Sequence, residues 1–171
     1  MEQKMPMELP ANADIHPYLP QSYFADSHSI ELSYRGESAL EIYFEMVSRT
    51  PKWVNFLMDL RNRIVSKLGL KHLGRMADLD QNKPVEDYKV GDQVGIFSIV
   101  SLRHNEVVVE DCDKHLNVRL SFLLVPNGNQ VTLHATTVVH VKNTFGKVYM
   151  FFVAPVHKVI VPKSLNSLIA R

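Results

Sequence analysis

Four apolar-rich runs separated by short polar turns dominate the middle of the chain, from about residue 94 to 141. Asn127-Gly128 stands between two of them, the strongest short signal for a β-hairpin. A two-residue loop centred there pairs Val125 with Gln130, Leu124 with Val131, Phe122 with Leu133, Leu120 with Ala135 and Val118 with Thr137, and one face is apolar. A loop at Asp113-Lys114 pairs Val109 with Val118 and Val107 with Leu120 on that same face. A third at His104-Asn105 pairs Leu102 with Val107 and Val100 with Val109, and sets Arg103 opposite Glu106. The three turns agree on one inward face, which a one-residue slip in any of them would spoil. The pattern predicts a four-stranded antiparallel meander. Its other face, with His115, Asn117, Arg119 and Ser121 opposite His140, Val138, Thr136 and His134, is polar and is expected to meet water.

The apolar face needs a cover. Residues 148–156 are apolar nearly all round, which predicts a helix, from residue 144 to about 170, buried on most of its surface. Its apolar stretch is too short, and too interrupted by Lys147, His157 and Lys158, for a membrane span of about 20 residues. Pro155 and Pro162 should bend it. Upstream, residues 27–34 alternate as one half-buried strand, with Ile30, Leu32 and Tyr34 on one side. Ser38 and Glu41 form a capping box that starts a helix with Leu40, Tyr43, Phe44 and Val47 at helical spacing. Thr50-Pro51 starts a second helix, whose buried stripe is predicted to be Trp53, Phe56, Leu57, Leu60, Ile64 and Leu68, ending at Gly69. The prolines at 6, 10, 17 and 20 mark residues 1–22 as an extended arm ahead of one domain over 23–171. Residues 71–89 show no clear period, apart from a short strand near 85–90, and are a candidate flap over a pocket.

Composition narrows the function classes. Hydrophobic content of 46% and charged content of 22% suit a globular protein. A net charge of +1 gives no footprint for nucleic acid. The single Cys112 precludes an internal disulfide and, with no apolar leader after Met1, leads us to expect a cytoplasmic protein. Cys112 has no identified base to activate it. No Gly-rich phosphate loop, zinc-protease or hydrolase motif occurs, and we expect no cofactor.

Strand, two short helices, meander and long final helix is the order of the α+β helix-grip architecture, a curved antiparallel sheet wrapped around a C-terminal helix. That fold characterises the START and birch-pollen-allergen superfamily. The motifs Tyr23-Phe24-Ala25-Asp26-Ser27, Pro51-Lys52-Trp53-Val54 through Leu60-Arg61-Asn62-Arg63, and Gly69-Leu70-Lys71 resemble a bacterial family known as domain of unknown function 2867. Val90-Gly91-Asp92, Asp113-Lys114-His115-Leu116 with Arg119, and Phe145-Gly146-Lys147-Val148-Tyr149 through His157-Lys158 extend the resemblance over residues 22–168. The family supplies no activity to carry over. The superfamily resemblance implies a cavity between sheet and helix that holds an apolar or amphipathic small molecule.

Two candidate sites follow. The first is that cavity, lined by Val100, Val109, Val118, Leu120, Phe122, Thr137 and Val139 from the sheet and Tyr149, Phe152 and Val156 from the helix. Thr137 and Tyr149 would orient the ligand; the alternative is a dry, close-packed core. The second is Asp111, Asp113, His115, Arg119 and His140 on the polar face. There His115 and His140 would be cross-strand neighbours with Cβ atoms about 5 Å apart. They could ligate a metal with Asp113, or act as general base with Arg119 steadying an anion; a hydrated sheet face with an Asp–Arg pair is the plainer reading and is preferred. The leading expectation is a non-catalytic binding protein for a small apolar or amphipathic ligand, with neither resident metal nor membrane insertion. A cyclase- or hydratase-like enzyme using His115, Asp113 and Arg119, and an interaction protein, are the alternatives. A homodimer stays open.

Overall fold

A computed structural model of the chain describes residues 9–49, 51–66 and 83–169. Strand β1 (Phe24–Ser33) leads to helices α1 (Ala39–Ser48) and α2 (Lys52–Ser66). Strands β2 (Gln93–Val94), β3 (Phe97–Leu102), β4 (Glu106–Cys112), β5 (Leu116–Asn127) and β6 (Gln130–Val141) then run to the 23-residue helix α3 (Thr144–Asn166). One antiparallel sheet holds them in the order β1-β6-β5-β4-β3-β2, so the expected meander is present and β1 joins its far edge. This is the helix-grip arrangement.

Apart from Val100 the inward face is the one predicted, although two registers are displaced and the third is broken by a bulge. Leu124 faces Leu133, Phe122 faces Ala135, Leu120 faces Thr137 and Val118 faces Val139, each partner displaced by two from expectation. The ladder gains a pair at Asn127–Gln130, and the loop is Gly128-Asn129, with Gly128 at φ 61° supplying the left-handed turn. The β4–β5 turn is displaced likewise: Val109 faces Leu120 and Val107 faces Phe122. There the Asp113 carboxylate accepts the backbone N–H groups of His115 (2.6 Å) and Leu116 (2.8 Å), closing the turn around Lys114-His115. A two-residue displacement preserves the side-chain phase, which is why the core survives it. At the third turn Leu102 does face Val107, but a bulge between Ile99 and Ser101 puts Ile99 opposite Val109. Val100 thereby packs on the outer face with Val108, Leu123 and Val138, away from the expected cavity.

The main cover of the inner face is α1 rather than α3. Its capping box forms, and Leu40, Tyr43 and Val47 join Val107, Val109, Phe122, Leu133 and the end of α3 (Leu165) in the core. The Tyr43 and Phe122 rings meet edge-on at 5.2 Å, and burial pushes the Tyr43 hydroxyl pKa far upward. Helix α3 runs through Pro155 and Pro162 and buries little: Gly146, Met150, Ser164 and Leu165. Contrary to the sequence argument, it is long and apolar enough to cross a membrane by length and composition.

On α2 the side chains of Leu57, Leu60 and Ile64 of the expected stripe lie outside the described residues, and its described members are not buried. Trp53 and Phe56 are exposed, whereas Val54 and Asn62 are buried. Thr50, Leu68, Gly69 and residues 71–82 of the expected flap lie outside the described residues; residues 85–87 form a short 3-10 helix, and the strand comes later, at Gln93–Val94.

The outer face is not left to water. Residues 9–22 lie across it in turns around a short 3-10 helix, with Ala13 and Ile15 buried against Val108, Leu123 and Val138. Beneath them the Glu106 carboxylate is wholly buried yet satisfied by the Asp14 backbone N–H (2.8 Å), the Ser121 hydroxyl (2.7 Å) and the Arg103 guanidinium (2.6 Å). Arg103 also binds the Asp14 carboxylate at 2.8 Å.

Candidate functional site

The inner face divides in two. Under α1, Val107, Val109, Phe122 and Leu133 are fully buried, as a dry core requires. Beside α3, the same face is only half-buried at Phe24, Asp26 and His28 on β1 and at Val118 and Leu120 on β5. Two elements position the polar groups there. On β1, residues 24, 26 and 28 continue the inward phase of Ile30 and Leu32, which places Asp26 opposite Thr137. On α3, His157 lies on the sheet side and brings its ring edge-on to Phe24 at 5.6 Å.

The result is a polar island on a half-buried, otherwise apolar part of the face. His28 Nε2 lies 3.0 Å from Asp26 Oδ2. His157 Nε2 lies 3.1 Å from Thr137 Oγ1, and its Nδ1 stands 3.9 Å from Asp26 Oδ2, too far for a direct hydrogen bond. That Nδ1 is buried with no hydrogen-bond partner. Burial lowers the His157 pKa to about 4, against the opposing pull of Asp26, so the ring is neutral at pH 7. A neutral imidazole keeps one donor and one acceptor. The island therefore offers a carboxylate, a hydroxyl and two imidazoles to the polar end of a guest, while Phe24, Val118 and Leu120 offer apolar surface to its body.

Of the residues expected to line a cavity, Val118, Leu120, Thr137, Val139 and Tyr149 stand at or beside this polar island. Val109 and Phe122 are instead sealed in the core under α1. Phe152 is 67% exposed and Val156 42%, because the helix presents them away from the sheet. Asp26, His28 and His157 were not foreseen. The signal was available in β1, where polar residues fall in the inward phase of a strand.

The polar-face group is not assembled. His115 sits in the β4–β5 turn, its Nδ1 against the Asn143 amide, and it is Asn117, not His115, that faces His140. Asp113 closes that turn. Arg119 stacks on Tyr18 at 4.1 Å and bonds Glu110 at 3.3 Å, while His140 Nε2 reaches the Pro20 carbonyl at 3.3 Å. Among the described residues no three His, Cys, Asp or Glu side chains converge as metal ligands.

The sheet and its helices define a helix-grip protein with a polar island beneath its terminal helix. Residues 18–164 match the family model described as "Protein of unknown function (DUF2867)", and the chain belongs to that family. Among solved structures it is similar to a START superfamily protein from Mycobacterium smegmatis, at 12% identity and a TM-score of 0.41, over 85% of this chain and 97% of that one. No curated protein matches the sequence.

Proposed function

We propose that the protein binds a small amphipathic molecule in the groove between α3 and strands β1, β5 and β6. One observation carries the reading: the inner face is half-open beside α3, and there its apolar lining is broken by Asp26, His28, Thr137 and His157. Binding sites for small molecules combine apolar walls with a few placed polar groups in this way. Affinity comes from apolar burial at about 25 cal/mol per Å², and orientation from the island. The cyclase or hydratase reading is disfavoured, since His115, Asp113 and Arg119 are occupied in holding a turn and the covering arm. Cys112 is free and exposed, which suits a cytoplasmic site of action.

The test is native mass spectrometry of freshly purified protein, with uptake of anilinonaphthalene sulfonate as a second readout. A co-purified adduct or saturable uptake is expected, lost when Leu120→Trp fills the groove. A bare mass together with no uptake would overturn the proposal.

A further inference from the structure

Helix α3 is inverted relative to an ordinary amphipathic helix. Its imidazole, His157, turns inward to Thr137, while its solvent side carries Val148 (53% exposed), Phe151 (74%), Phe152 (67%) and Val159 (50%) at helical spacing. Contiguous apolar surface of this kind on a globular protein marks an interaction site. Charge says what kind. Residues 114–171 contain seven Lys and Arg and no Asp or Glu, and all 18 acidic residues of the chain precede them. On α3 itself the exposed charges are Lys147, Lys158 and Lys163. At the far end Lys163 Nζ stands 5.4 Å from the centre of the Trp53 ring, which is itself 38% exposed.

We infer that this face docks on an anionic lipid surface, with α3 lying in the plane of the interface. An apolar stripe with basic residues and no carboxylates is the pattern of an interfacial helix: the stripe enters the headgroup boundary and the lysines reach the lipid phosphates. Trp53 has the amphipathic ring that settles at such boundaries. A second copy is a poorer occupant, because stripe on stripe would bring two sets of lysines together with no carboxylate between them. A crossing orientation is also disfavoured, since Gly146, Met150 and Leu165 pack α3 against the rest of the protein. The inference does not depend on the groove holding a ligand.

The experiment is co-sedimentation of the full chain with phosphatidylcholine vesicles, with and without about one-third phosphatidylglycerol. Binding to the anionic vesicles only is expected, falling about a hundredfold in Phe151→Ser/Phe152→Ser. Lys158→Glu/Lys163→Glu should lose it also. Because both phenylalanines are exposed, circular dichroism should show those variants folded. Wild-type protein left in the supernatant, or binding that survives the phenylalanine substitutions, would overturn the inference. So would a concentration-dependent dimer abolished by the same substitutions, which would assign the stripe to a second copy.

Discussion

His157 carries the clearest pH signature. Its pKa is about 4 in the fold against an ordinary 6.5, and burial also lowers that of His134. Between those values the unfolded chain binds a proton that the folded one does not, so stability rises with pH across that window. It is fully present above about 6.5 and lost as pH falls toward 4. The His157 share is about 3 kcal/mol. Urea titrations at pH 7.5 and 4.5 should show that loss in the wild type and a smaller one in His157→Gln; an equal loss in both would refute it. This residue also shows why half of the site escaped the sequence. A histidine in an apolar helix reads as an interruption, and only the packing direction of α3 reveals that it is the inward group.

At the scale of elements, the junction between the β4–β5 turn and the start of α3 is tightly built. Asn143 caps α3 through Gly146 N–H (3.0 Å) and donates to the Lys114 carbonyl (3.2 Å), and Lys142 N–H donates to the His115 carbonyl (2.8 Å). A Cβ on Gly146 would lie 2.6 Å from that same carbonyl oxygen. Gly146→Ala should therefore cost about 2–3 kcal/mol in chemical denaturation, and a change under about 0.5 kcal/mol would contradict the packing. Strand phase was legible because alternation survives a two-residue slip; register was not, because turn closure depends on groups such as the Asp113 carboxylate. The helices were legible as helices, and so was the buried side of α1, but the exposed positions on α2 and α3 were not. Trp53, Phe56, Phe151 and Phe152 look like core by residue type and are exposed.

For the whole molecule, the two faces of the sheet are covered by different parts of the chain: α1, with the end of α3, on the inner face and residues 9–22 on the outer. The clamp on the outer face makes a prediction: Arg103→Ala leaves the Glu106 carboxylate buried without its cation. Because Arg103 is more than a third exposed, the cost is discounted to about 2 kcal/mol. Adding Glu106→Gln removes the stranded charge and should recover part of that loss in urea denaturation; a double variant less stable than the single would refute this account. From sequence the outer face was read as wet because His134, Arg119 and Asn117 are polar. What covers it is a proline-containing segment with little periodicity, whose destination only the tertiary structure reveals.

That clamp also constrains the order of assembly. The Asp14–Glu106 contact joins residues 92 apart, and Phe24 pairs with Val139. The β3–β6 hairpins close over a few residues each, so they can form early, whereas β1 has no strand to join until β6 exists, and the segment before it cannot complete its contacts until Val138 is in place. Residues synthesised before most others are thus the last to find their places, and the interval in which Ile15 and Val138 remain unpaired ends only when the late strand emerges.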